Sequence, residues 1–208
     1  MKTRELRESN QHGRVFFVKQ FALIIAVTSA LVSCSETASI SLKARPANWA
    51  QPIVLSGVGN LHRVSDELYR SAQPSEEGMA QLEKLGIKTV INLRALHEDD
   101  ELEDTHLGSE QIALWSWNLD EEADERFFAL LDKSPKPVLV HCWHGADRTG
   151  ALCARYRVEK QGWSAEDAIT EMMRGGFGFH SIWEKIPEWV YEQSNTFETD
   201  SVRSFPDI

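Results

Sequence analysis

PVLVHCWHGADRTG, residues 137–150, decides how this chain is read. Pro137-Val138-Leu139-Val140 is short, continuous and apolar, which predicts a strand buried on both faces of a mainly parallel sheet. A helix is predicted over 149–161, stopped by Gly162, so the order is strand, loop, helix. A loop in that position can aim backbone N–H groups at an anion, and the helix N-terminus adds about half a positive charge. Cys142 opens the loop and Arg148 closes it, with five residues between them. A loop of that length can close on itself, with sulfur at its base and a guanidinium forking onto two phosphate oxygens. A free thiol, with a pKa of about 8.5, is only a few per cent ionised at neutral pH, so nucleophilic sulfur chemistry needs such donors. Thr149 is placed to give its hydroxyl to the sulfur when the sulfur leaves in a second step.

Upstream, Ser75 is an N-cap for a helix with acid in its first turn, and Gly86 stops it; Met79, Leu82 and Leu85 line one face. Residues 87–93 read as a strand. The charged stretch HEDDELEDTH, 97–106, reads as a solvated face. Residues 111–119 resume β character, and Ala123, Phe127, Leu130 and Leu131 form the apolar stripe of a helix over 121–132. Downstream, Ser164-Ala165-Glu166-Asp167 begins another helix, whose stripe Ala165, Ile169, Met172 and Met173 reads as core. Gly175 to His180 ends it with glycines, and His180 reads as structural. The expected fold is α/β: a central, mainly parallel twisted sheet of four to five strands flanked by helices, with no internal repeat.

A chain of 208 residues suits one ordinary domain plus extensions. It is 42% apolar with seven Trp, which supports a packed core and excludes a disordered or multi-span chain. A net charge of −10 argues against a nucleic-acid partner but leaves room for a local anion pocket. Three cysteines are too few for a disulfide scaffold. Residues 1–20 carry Lys2, Arg4, Arg7, Arg14 and Lys19 ahead of the apolar run Phe21 to Val32, the layout of an export signal. Twelve residues rise only about 18 Å as a helix, short of a hydrocarbon core of about 30 Å. Leu31-Val32-Ser33-Cys34 resembles the lipobox of bacterial lipoproteins, which implies lipid modification at Cys34, a membrane anchor and a periplasm-facing or outer-membrane location. Two or more acyl chains would hold such an anchor stably. Loss of residues 1–33, with five basic and two acidic side chains, takes the net charge from −10 to −13. The expected organisation is a signal peptide over 1–33, a lipidated cysteine and tether over 34–52, one domain over 53–193 and a polar tail over 194–208.

His141-Cys142, Gly145, Arg148, Thr149 and Gly150 resemble the signature of the cysteine-dependent protein tyrosine and dual-specificity phosphatase superfamily. LYRSAQPS, 68–75, and GIKTVINLR, 86–94, look like the N-terminal half of its bacterial dual-specificity members. The resemblance spans roughly residues 55–190 and implies a phosphatase-like fold and phosphomonoester hydrolysis without metal or cofactor. It makes Cys142 the nucleophile that becomes phosphocysteine, Arg148 the phosphoryl-binding group, and His141 the residue that holds loop and thiolate. Trp143, His144, Gly145, Ala146, Asp147 and Thr149 complete the expected substrate cradle. For the general acid, Asp120 is chosen, with Glu121, Asp124 and the acidic run at 98–104 as alternatives.

Asp147 would repel phosphate if it entered the pocket, so its side chain is expected to turn outward. Positions 143–147 carry no Lys, which weakens the case for a highly phosphorylated inositol. A metal site on His141, Cys142 and His144 matches no familiar zinc spacing. Cys153 is expected to be helix packing, with a redox pairing to Cys142 as the alternative. The substrate is a phosphorylated protein or a small phosphomonoester such as a sugar phosphate or lipid headgroup. The competing reading is a phosphate-binding lipoprotein module with weak turnover.

Overall fold

The computed structural model describes residues 45–203, with side chains placed to residue 195 apart from Glu121. The expected leader, Cys34 and the first part of the tether lie outside the described residues, as do 204–208. The elements run β1 (Gln51–Pro52), β2 (His62–Arg63), β3 (Leu68–Ser71), α1 (Glu76–Leu85), β4 (Thr89–Arg94), a 3-10 turn (Asp100–Leu102) and β5 (Gly108–Leu114). They continue with α2 (Glu121–Lys133), β6 (Val138–His141), α3 (Asp147–Gln161), α4 (Ala165–Arg174) and α5 (Lys185–Arg203).

The sheet has six strands in the order β1-β2-β3-β6-β4-β5. The four strands β3, β6, β4 and β5 are parallel, and β1 and β2 add an antiparallel edge. The expected mainly parallel sheet is present; the count of four to five strands missed the two-residue strands, which carry too little pattern to be seen in sequence.

β6 is central, and its residues alternate between two cores. Val138 and Val140 pack with Ile91, Leu93, Phe127 and Leu152 on one face, while Leu139 packs with Met79, Leu82 and Val90 under α1 on the other. That double burial is why its sequence is a continuous apolar run. In register, His141 sits between Ser71 of β3 and Asn92 of β4. The carboxyl ends of the parallel strands therefore share one edge, where their following loops converge, the usual place for a ligand in an open α/β sheet.

The ends of the chain differ from expectation. Over 45–52 the predicted tether is part of the fold: Ala50 is buried, its N–H donates to Glu171 Oε1 at 2.5 Å, and Arg45 Nη1 donates to the Gly175 carbonyl at 2.6 Å. Glu171 also holds the buried Arg157 of α3, at 2.6 and 2.7 Å, so the segment docks onto a buried ion pair. The predicted polar tail begins inside α5, where Ser194 is buried and accepts from Arg155 Nη1 at 2.8 Å. Leu85 and Met173, placed on buried stripes by their spacing, are instead 40% and 45% exposed, because each stripe is narrower than the sequence period allows. The β character expected to 119 stops at Leu114, and Trp115 bridges Asn118 in a tight turn. Among the described residues, no helix is long and apolar enough to cross a membrane.

Candidate active site

The loop between β6 and α3 is built by its neighbours. Three successive carbonyls point outward: Trp143 O accepts from Gln73 N at 3.1 Å, His144 O from Asn60 Nδ2 at 2.9 Å, and Gly145 O from Arg70 Nη2 at 2.6 Å. In a trans peptide the N–H of the next residue points the opposite way. The N–H groups of His144, Gly145 and Ala146 therefore face the inside of the loop, and none of the described hydrogen bonds uses them. Gly145 has φ +68°, and a Cβ there would overlap the Ser71 carbonyl and the Ala72 nitrogen, so only glycine lets the loop press against β3. Arg70 is itself 2% exposed and stacks on Phe177 at 3.7 Å, which fixes the donor that fixes the loop.

Cys142 lies at the base of this cradle, 2% exposed, at the end of β6. Arg148, in the first turn of α3, donates from Nη1 to Leu93 O at 3.3 Å and Leu114 O at 3.1 Å. Its Nε and the Thr149 hydroxyl are buried with no hydrogen-bond partner among the described residues. Buried donors of this kind carry a desolvation penalty until an acceptor arrives. A tetrahedral oxyanion above Cys142 provides such acceptors. Trp143 and His144 are exposed at the lip, and Ala146 is buried beneath. The sequence expectation thus finds Cys142, Gly145, Ala146, Arg148 and Thr149 assembled in one loop.

His141 is fully buried, and its Nε2 lies 2.9 Å from Asp99 Oδ2. Asp99 Oδ1 accepts from Gln73 Nε2 and Asn92 Nδ2, both at 3.0 Å. Burial pushes the Asp99 carboxyl up, but hydrogen bonds from His141 and Gln73, with the charges of His141 and His97, hold it below its ordinary value. An ionised carboxylate only accepts, so His141 Nε2 carries the proton. The reading of 97–106 as a solvated face is therefore corrected at Asp99, whose side chain is 1% exposed and fixes the ring of the residue next to Cys142. The charge run masked Asp99, because its neighbours Glu98 and Asp100 are exposed.

Asp147 does turn aside. Its Oδ1 accepts from His180 N at 3.0 Å, and its Oδ2 from His180 Nδ1 at 2.9 Å. The His180 ring lies 5.3 Å from that of His144. His180, read from sequence as structural, is thereby tied to the signature helix.

Asp120 stands apart from this assembly. It is the N-cap of α2 without a side-chain cap bond, about half exposed, and accepts from Arg126 Nη2 at 3.0 and 3.2 Å. The loop it ends begins at Leu114, whose carbonyl holds Arg148, and carries a Trp115–Trp117 stack at 4.7 Å. None of the described contacts joins the Asp120 side chain to residues 141–150. Of the alternatives, Asp124 is 2% exposed and held by three contacts from Arg155 at 2.9 to 3.2 Å, and Asp99 serves His141. Cys153 is buried, and that burial pushes its thiol up to about 11, so it stays protonated at neutral pH.

His97, Asp99 and Glu101 place possible metal-ligand atoms within 4.8 Å of one another. The Asp99 oxygens already accept from Gln73, Asn92 and His141, which leaves this carboxylate about one of its four lone-pair sites for an ion. A cavity of about 310 Å³ beside Trp117, Leu119 and Trp189 is lined by no residue of 141–150 and plays no part in the loop chemistry.

Sequence reasoning missed Asn60, Arg70 and Gln73, and it held Asp99 only as part of the acidic run offered for the general acid, not as the partner of His141. The segment holding Arg70 and Gln73 was visible as a resemblance, without a role for either. Asn60 has a left-handed backbone, φ 55°, which often marks a functional turn, but dihedrals are invisible in sequence.

Comparison with known proteins agrees with this geometry. The profile of the family described as "DSP-PTPase phosphatase fused to NAD+ Kinase" matches residues 43–186. The dual specificity protein phosphatase TpbA of Pseudomonas aeruginosa is 38% identical over 141 residues, 64% of this chain and 62% of the relative. The crystal structure of P. aeruginosa TpbA matches at a TM-score of 0.61 and 33% identity, over 70% of this chain and 91% of that one. Its complex with pTyr matches at 0.60 and 31%, over 70% and 90%. The chain spans less than two thirds of the length of the curated relatives it matches first. It belongs to the DSP-type phosphatase family.

Proposed function

We propose that this member of the DSP-type phosphatase family hydrolyses phosphomonoesters through a phosphocysteine intermediate. The observation that carries the reading is the loop of inward N–H groups around Cys142, closed by a guanidinium with an unpartnered buried Nε. In the first step the Cys142 sulfur attacks phosphorus, the bond to the ester oxygen breaks, and that oxygen takes a proton from Asp120. In the second step water attacks phosphorus and gives a proton back to the Asp120 carboxylate, the S–P bond breaks with the Thr149 hydroxyl beside the departing sulfur, and inorganic phosphate leaves. Arg148 and the loop N–H groups stabilise the equatorial oxygens in both transition states. For Asp120 to act, its loop must swing toward Cys142 and its carboxylate must leave Arg126. An exposed ion pair worth about 0 to 1 kcal/mol is a small obstacle to that movement.

The relative seen with pTyr supports a phosphorylated aryl side chain as substrate. Residues 1–33 as an export signal and Cys34 as a lipid anchor remain part of the proposal, supported by the h-region and the lipobox-like LVSC alone. Labelling cells with a radiolabelled lipid precursor tests it: Cys34→Ala should abolish incorporation, and unaltered incorporation removes the anchor.

A second reading, a phosphate-binding module with weak turnover, is favoured by the pairing of Asp120 with Arg126. Hydrolysis of an aryl phosphate by the full chain separates the two. Turnover that falls by about 10³-fold or more in Cys142→Ser, with covalent radiolabel trapped by rapid denaturation of the unaltered chain and absent from the variant, is expected for the enzyme. Equal rates in both proteins eliminate the mechanism.

A further inference from the structure

Positions 143–147 of the loop supply no cation beyond Arg148, yet a second guanidinium reaches the same lip from β4. Arg94 is half-buried, and its guanidinium lies over the ring of Trp143, the residue after the nucleophile, at 4.3 Å. Its Nη1 donates to Gln73 Oε1 at 3.0 Å, and the backbone N–H of the same Gln73 holds the Trp143 carbonyl at 3.1 Å. Asn92 Oδ1 fixes the Arg94 N–H at 2.8 Å, and the carbonyl of Leu93, the residue before it, accepts from Arg148. Both guanidinium groups are thus gathered at the end of β4, Arg148 on the Leu93 carbonyl and Arg94 by way of Gln73 and Trp143.

Neither arginine has a carboxylate within salt-bridge distance among the described residues. Burial and the nearby charge of Arg148 lower the Arg94 pKa from its usual value, against the opposing charges of Asp99 and Glu101. Like charges held side by side with no direct ion-pair partner gain when an anion binds between them. The stacking on Trp143 and the bond to Gln73 use one face and one nitrogen of the fork. Its Nε and Nη2 have no protein acceptor among the described hydrogen bonds.

We infer that Arg94 is a second anion-binding residue of this site and that the substrate carries a second oxyanion, phosphate or carboxylate, beside the phosphoryl group it loses. The inference rests on the phosphatase reading for the first phosphate alone. Arg94 takes no part in bond breaking; it selects substrates and orients them through a charge-assisted fork. The lack of Lys within the loop, which in sequence weakened the case for a highly phosphorylated inositol, is offset by a residue from the adjoining strand.

Calorimetric binding to the full chain carrying Cys142→Ser tests this without any need for turnover. The probes are inorganic phosphate, pyrophosphate and phosphonoacetate, compared with and without Arg94→Ala and Arg94→Lys. At least one two-anion probe should bind about ten-fold tighter than phosphate, and Arg94→Ala should remove about ten-fold from that ratio. Arg94→Lys should restore part of it, since the charge returns without the fork. A larger loss for pyrophosphate assigns the second group as phosphate, and a larger loss for phosphonoacetate assigns it as carboxylate. Equal weakening of phosphate and both other probes by Arg94→Ala overturns the proposal, as does a wild-type ratio near one. If the aryl phosphate assay fails while the ratio behaves as stated, only the catalytic reading falls; if turnover stands and the ratio does not, only the second subsite falls.

Discussion

Two loops at the same sheet edge are built in opposite ways. The loop from Cys142 to Arg148 has three carbonyls tied to Gln73, Asn60 and Arg70, and its glycine presses against β3. The loop from Trp115 to Asp120 has one internal bridge, exposed tryptophans and an exposed ion pair. The first must hold its N–H groups still, because electrostatic stabilisation of a transition state depends on donors that need no reorganisation. The second would have to move for its acid to reach a leaving oxygen, and a segment with few buried contacts opens at low free-energy cost. In the proposed mechanism, the difference makes the phosphate-binding half of the chemistry preorganised, while the proton-donating half awaits a conformational step.

The sharpest way to break the rigid loop is Gly145→Ala. The new Cβ would overlap the Ser71 carbonyl at a positive φ, so kcat/KM for an aryl phosphate should fall by about 10³-fold, with a lower Tm of several degrees. A protein that keeps full activity would show that the close approach to β3 is dispensable. Asp120→Asn addresses the other loop: removal of a general acid should lower kcat by about 10²-fold and flatten the basic limb of the pH profile. An unaltered profile would move the acid elsewhere.

Asp99→Asn should have the smallest effect, about ten-fold in kcat/KM, because it loosens His141 without touching the substrate. It also carries a pH signature. The folded Asp99 carboxyl lies below its ordinary value, so its contribution to stability is present above the unfolded carboxylate pKa, about 3.9, and is lost as pH falls through the folded value. The Tm gap between wild type and Asp99→Asn should therefore be full at neutral pH and close below about pH 3.9. A gap of constant size down to strong acid would mean that the carboxylate does not hold His141.

Much of the site was legible because its signals are local. Cys142, Gly145, Arg148 and Thr149 lie within eight residues, and the apolar run before them announces a buried strand. Asp99 was illegible for the converse reason: it is embedded in a run whose neighbours face solvent, and only its 42-residue reach to His141 reveals its role. Arg94 ended a segment recognised by resemblance, but its place over Trp143 depends on β4 lying beside β6. Residues 45–52 lacked periodicity, and no local pattern could foretell that Glu171 would capture Ala50.

The amino-acid sequence by itself determined the buried central strand, the α/β class and the strand–loop–helix run from Cys142 to Arg148 on which the proposed nucleophile and phosphate-binding arginine rest, because each follows from residue types at short, fixed spacing. Only the tertiary structure decided which groups turn the loop N–H donors inward, which carboxylate holds His141, and how near the second arginine comes. Those depend on side chains tens of residues apart being delivered to one sheet edge by strand order and register, a geometric fact that no local window contains.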